Sequence, residues 1–273
     1  RKEMKFIFAI AKRELDGYFQ TIVGWLTLLG FVTVTGLIFG LIITDATDPA
    51  YFGQEIDINE MLIPAFFNTL SVILLLLSPA ISMRVFSEDY QQGSFPLLLS
   101  SPITSTQIVL GKFFGTLGYL FFSFLSTLHC VALLFWLGEP SISMLLLNYL
   151  ALFLCTSSFL AIGLFVSSTT KNQLVSLSLS FTLLISLWFL GSLGDQYSEG
   201  FKLFITQLSP LPHIESLSKG LLSLQDISYF LIVIVFFLFL SSKKIDSLRW
   251  QEDRSLLSWV GIIVVGLFCT TLQ

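Results

Sequence analysis

Charge is what this chain has least of. Of its 273 residues 12% are charged and 54% hydrophobic, and Lys plus Arg number 14 beside 28 Phe. A soluble domain carries about 25% charged residues, so a water-solvated globule is excluded. Histidine is scarce, with His129 and His213 the two in the chain. The three cysteines, Cys130, Cys155 and Cys269, show no CxxC spacing. They suggest neither a disulfide framework nor a metal centre, and read as small packing residues. A GxxxxGK(S/T) phosphate loop is missing: Gly111-Lys112 is followed by Phe113, and Thr106 stands where the first glycine would be. HExxH, GxSxG and paired metal-ligand spacings are missing as well. These absences leave no expected catalytic, cofactor or metal residues, and no nucleic-acid partner.

What the chain has instead is long apolar runs. A helix rises about 1.5 Å per residue, so crossing a hydrocarbon core of about 30 Å takes about 20 apolar residues. Residues 22–43, 61–83, 113–137, 145–166 and 174–193 meet that length. A sixth span, 224–242, is expected because Ser223 and Asp226 look like a capping pair that starts a helix near Leu224. Residues 256–272 form a seventh candidate at the C-terminal end. The expected fold is all-α, a polytopic membrane helix bundle of six transmembrane helices plus that candidate seventh span. A signal-peptide reading of the first run fails on its length, its polar-rich lead and the lack of a small-residue cleavage site after it.

Charge distribution then orients the bundle. Alternating spans from an inner N terminus leave twelve of the 14 Lys and Arg inside, with Lys202 and Lys219 outside. That is the positive-inside pattern. The first outer loop holds Asp45, Asp48, Glu55, Asp57 and Glu60 and no base. Ahead of the first span, residues 4–18 place Ile7, Ala11, Leu15 and Tyr18 at helical spacing, with Lys5, Lys12, Arg13 and Asp16 elsewhere around the wheel. This reads as an interfacial helix in the headgroup plane with its apolar stripe in the acyl boundary; a plain stop-transfer flank is the other reading.

The least lipid-like stretch of the first half is residues 86–112. Residues 84–92 prolong the second helix until Gly93 ends it in a left-handed cap. Residues 94–99 make a short helix on which Leu97, Leu98 and Leu99 bunch. Ser100, Ser101 and Pro102 turn the chain, and Thr104 with Gln107 forms a capping box that restarts a helix into the third span. The result is an amphipathic helix-turn element held beneath two spans, with room to be a docking surface. The other inner loop, 167–173, is a tight turn. Outside, Pro210 and Pro212 interrupt an apolar stretch better read as short re-entrant or surface helices. His129 suits either a proton relay or an interhelical hydrogen bond, and Asn68 and Asn148 suit interhelical glue. With no charge deep in the six spans, an ion-coupled carrier is disfavoured and energy is expected to enter from outside the bilayer.

The run RVFSEDYQQGSFPLLLSSPITSTQIVLGK resembles the signature of type-2 ABC transporter permeases. Its marks are the acidic cluster Glu88 and Asp89, Gly93-Ser94, the triplet Leu97, Leu98 and Leu99, Pro102, and Gly111-Lys112 entering the third span. The opening Lys12, Arg13, Glu14 is similar to the "KRE, short spacer, span" start of such permeases. Residues 213–240 are similar to the end of the gliding-motility (Gld) type permeases. Pro96 departs from the family pattern, which commonly carries an acid before the triplet, and the seventh run exceeds six spans.

The resemblance implies the type-2 ABC exporter fold, with residues 1–244 as the permease domain and 245–273 as a linker and extra span or the anchor of a following module. It implies a non-catalytic subunit in a bacterial cytoplasmic (inner) membrane, multi-pass, with the N terminus cytoplasmic. A separate cytoplasmic ABC ATPase subunit would bind the ATP, so no cofactor belongs to this chain. Its other partners would be a second permease copy or paralogue, the lipid bilayer, and a Gld-type membrane-anchored extracytoplasmic subunit. Residues 86–112 would be the coupling element. The competing reading is a membrane anchor or scaffold of an envelope or gliding-motility complex, with the same element as a fixed docking site.

Overall fold

The longest apolar helix of the chain becomes its centre. A computed structural model describes residues 2–46, 58–101, 103–193, 206–219 and 223–250. In order they form α1 (Lys2–Gln20), α2 (Ile22–Ala46), a π turn (Ile58–Leu62), α3 (Ile63–Ser82), α4 (Arg84–Gln91), α5 (Phe95–Ser100) and α6 (Ser105–Ser126). Then follow α7 (Leu128–Leu137), α8 (Ile142–Thr169), α9 (Gln173–Leu193), α10 (Pro210–Ser218) and α11 (Leu224–Trp250). No strand occurs among the described residues. Six helical stretches are long and apolar enough to cross a membrane: Ile22–Asp45, Ile63–Gln91, Ser105–Leu137, Ile142–Thr169, Gln173–Gly191 and Leu224–Arg249. The candidate seventh run, Cys269 and Pro102 lie outside the described residues.

α8 is buried over 83% of its most apolar stretch, against 17% for that of Ile22–Asp45 and 22% for those of the last two. α3, α4, α6, α9, α10 and α11 all pack on it. Its hydroxyl side chains make that burial cheap, because they bond back to their own helix: Thr156 to Leu152 O, Ser157 to Phe153 O and Ser158 to Cys155 O, each at 2.6 Å. Cys155 and Cys130 are free and buried.

α1 lies along α6, and glycine sets how closely. A Cβ on Gly115 would stand 2.6 Å from the Ala11 carbonyl oxygen, and one on Gly111 would stand 2.7 Å from Ile10 Cβ. Leu15 covers Gly118, and Tyr18 stacks on Tyr119 at 4.7 Å. The stripe expected in the acyl boundary therefore faces the third span, while Phe8 on another face is 72% exposed. Small residues on α6 make a surface that α1 fits better than lipid would.

Two polar residues differ from expectation in detail. His129 turns its Nδ1 to Ser126 O across the break between α6 and α7, so the contact stays within the third span. The Asp226 carboxylate leaves the start of α11 for α10, accepting from Ser216 Oγ at 2.6 Å and meeting His213 Nδ1 at 2.6 Å. Ser223 alone takes up the capping role, accepting from the Gln225 N–H at 3.1 Å.

Candidate functional site

The sequence-singled element occupies one end of the bundle, beside α1. α4 ends at Gly93, whose φ is +68°. Ser94 N–H donates to Asp89 O at 3.1 Å and Gly93 N–H to Tyr90 O at 3.3 Å, the paired bonds of a Schellman motif. Ser94 Oγ adds a bond to Asp89 Oδ1 at 2.9 Å. After the turn, α5 folds back so that Phe95 is buried against Tyr90, ring centroids 4.1 Å apart. At the far side Thr104 accepts from Gln107 N–H while the Gln107 side chain accepts from Thr104 N–H, the expected capping box.

The leucines of α5 point different ways. Leu97 is 73% exposed, whereas Leu98 is half-buried against the main core. Leu99 lies in the helix. An α5 side chain thus stands free for a partner while its neighbours seat the helix.

Beneath α4 a buried cation ties three elements together. Lys112 is 1% exposed; its ammonium donates to Glu14 Oε1 of α1 at 2.7 Å and to Val85 O at 2.6 Å, and pairs with Asp89 Oδ2 of α4 at 2.7 Å. It also lies 5.2 Å from the Phe86 ring centroid. Around this core Arg13 pairs with Glu14 at 3.2 Å, Arg84 with Glu88 at 3.2 Å, and Gln92 donates to Glu88 at 3.0 Å. Acids and bases balance, which is what burial of charge requires. A cleft of about 360 Å³ opens between α1 and α4, with Arg13, Tyr18, Arg84, Glu88 and Lys112 in its wall.

Tyr18 closes the cleft from the α1 side. Its hydroxyl donates to Ile81 O at 3.0 Å. Burial, with the Glu14 charge adding to it, pushes the phenol well above its ordinary range, so it remains a neutral donor.

The structure thus brings together Glu14, Glu88, Asp89, Gly93 and Ser94, and leaves Lys12 exposed on α1 outside the cluster. Phe95 and Lys112 lie inside the expected coupling element 86–112 without a role of their own in it, and Arg84 lies just before it. The Gly-Lys pair was the available signal for Lys112, since a lone Lys opening an apolar span needs a partner.

The opposite end of α8 carries a second polar cluster. Asn148 Nδ2 donates to Ser218 O of α10 at 3.2 Å. His213, buried, stacks on Tyr229 at 4.2 Å, with Nε2 3.1 Å from Gln207 O. No group of three or more metal-ligating side chains occurs among the described residues.

Six membrane-length helices among the described residues, one of them buried at the centre, with an amphipathic helix docked at one end, define a multi-pass membrane protein. Residues 8–270 match the ABC-2 family of transporter proteins, and the chain belongs to that family. It is similar to the protein named "Probable multidrug ABC transporter permease YbhS" in Escherichia coli strain K12, and to the protein of the same name in E. coli O157:H7. Identity is 26% over 191 residues in each comparison, covering 68% of this chain and 50% of the relative. The chain spans about half the length of these curated relatives.

Proposed function

We propose that the chain is the membrane subunit of an ATP-driven exporter, and that α4 and α5 receive a separate cytoplasmic ABC ATPase. The observation that carries this reading is the α5 surface: Leu97 stands exposed on a helix otherwise seated by Phe95 and Leu98, next to the Lys112 clamp. A fixed knob on a rigid mount can transmit a push, whereas a free loop would absorb it. Family membership supports an ATPase partner and a dimer of permeases. This subunit performs no chemistry itself; ATP is bound and hydrolysed by the partner. Movement of the paired ATPases shifts the bundle between two access states, which is rigid-body gating driven by differential binding.

The family's type-2 exporter fold, an N terminus on the ATPase side and the bacterial cytoplasmic membrane belong to the same reading, supported by the positive-inside pattern. The multidrug relatives favour hydrophobic small molecules as cargo, in keeping with spans that carry little charge. The resemblance of residues 213–240 to Gld-type permeases supports an extracytoplasmic membrane-anchored partner.

The test is co-expression with an ABC ATPase from the same operon, then purification and vesicle reconstitution. The wild-type pair is expected to co-purify, to hydrolyse ATP faster than the ATPase alone, and to move cargo. Leu97→Asp is expected to abolish both stimulation and transport while leaving membrane insertion intact. Undiminished transport by that variant overturns the reading.

A further inference from the structure

The second span is interrupted where it leaves the bundle, and the interruption is managed by other helices. α3 ends at Ser82 and α4 begins at Arg84, with Met83 between them as C-cap of one and N-cap of the other. Met83 keeps helical torsions, φ −55° and ψ −31°, so the chain hardly leaves its helical path. Met83 has no side-chain oxygen to cap α4, whose early N–H groups still need acceptors.

Ser167 of α8 supplies one. Its Oγ accepts from Phe86 N–H at 3.1 Å and Ser87 N–H at 3.2 Å, and its own hydroxyl hydrogen goes to Met83 O at 3.1 Å. One side chain therefore serves both strands of the break. Two further carbonyls at the junction are also taken from outside: Ile81 O by Tyr18 of α1 and Val85 O by Lys112 of α6. Gly163, one turn before Ser167 on α8, lets the junction come this close. A Cβ there would stand 2.0 Å from Ser82 Oγ. Pro79 lies in the last turn of α3. It has no N–H, so the ladder is already weakened on that side.

We propose that Ser167 is a positioning residue that sets the angle between the second span and the α4–α5 lever, by capping α4 from a different helix. This rests on α4–α5 being the ATPase-docking lever. A hydroxyl wedged into a nearly continuous helix makes two arrangements close in energy. With Ser167 seated, as here, it holds the Phe86 and Ser87 N–H groups and fixes the lever against α8; with Ser167 withdrawn, those groups take partners within their own helix and the lever's angle to the second span changes. Because Ser167 is on the central helix, tilt of α8 and swing of the lever become one motion.

The experiment uses the full chain with Cys269 replaced by Ser and spin labels at Leu97→Cys and Lys171→Cys, both exposed sites. In the permease alone, Ser167→Ala is expected to shift or broaden the distance distribution between the labels, and to speed hydrogen exchange at Phe86 and Ser87. Ser167→Thr, which keeps a hydroxyl, is expected to restore both. Ser167→Val provides a second hydroxyl-free variant should the alanine variant fail to insert. With the ATPase partner present, Ser167→Ala is expected to lose transport while ATP turnover persists. Unchanged distances and exchange in Ser167→Ala and Ser167→Val overturn the proposal. If wild type engages no ATPase, the exporter reading falls, while the distances still decide what Ser167 does.

Discussion

Lys112 sits where a charge has no water to fall back on, and three oxygens stand within 2.7 Å of its nitrogen. Removing one member of such a buried set costs about 3–5 kcal/mol, because the others are left charged and unpaired. Lys112→Met is expected to lower stability by that order, read from thermal unfolding in detergent. Adding Glu14→Gln and Asp89→Asn to Lys112→Met is expected to recover most of the loss, since no orphaned charge remains. Gly93 is a milder case. Its φ of +68° is a conformation that side chains adopt at about 1–2 kcal/mol, although nothing crowds the space a Cβ would fill. Gly93→Ala is expected to cost about 1 kcal/mol and Gly93→Asn less, measured by hydrogen exchange at Ser94. Gly93 was legible in the sequence because glycine after a polar helical stretch has a local meaning. Lys112 as a hub was not, since its partners are distant in sequence and Glu14 and Asp89 look like solvated charges until the fold joins them.

Between elements, the decisive surfaces are those where backbones nearly touch. The α1–α6 seam depends on Gly111 and Gly115, where an added Cβ would strike Ile10 Cβ and the Ala11 carbonyl. Gly115→Val is expected to lift α1 from α6. A disulfide between Leu15→Cys and Gly118→Cys, formed readily in the parent, should then be lost. On α5 the two leucines separate docking from folding: Leu97→Asp is expected to leave unfolding temperature unchanged, whereas Leu98→Asp lowers it, because Leu98 packs on the core. The apolar runs announced the spans by length alone. What they left open was which face each helix turns inward. α1 has a clear stripe, yet a stripe fits lipid and a glycine seam equally well, and the glycines lie about a hundred residues away in sequence. Asp226 illustrates the same ambiguity, for a helix-start carboxylate serves as a cap or as a partner for His213, and only the position of α10 decides.

As a whole, the molecule surrounds one helix with others that are half bare. Such a bundle leaves apolar surface for lipid or a second copy, in keeping with the dimer that the family implies. The positive-inside pattern predicts its orientation: Leu97→Cys is expected to react with a membrane-impermeant maleimide in inside-out vesicles and not in right-side-out ones. The reverse labelling would put the α5 end on the wrong side for an ATPase. The six described spans were readable as long apolar runs because the bilayer fixes the length a crossing helix needs. The central place of α8 was not, since its run is no more apolar than that of α2.

The two polar clusters at the ends of α8 have a shared consequence. Asn148 holds α10 at one end and Ser167 holds the α3–α4 junction at the other, about 28 Å apart at 1.5 Å per residue. Both attachments are to the same stiff axle, so on the proposal for Ser167 a single tilt would carry news from one side of the bilayer to the other. No chain of rearranging side chains is required, and softening the axle at any point between them would deafen each end to the other.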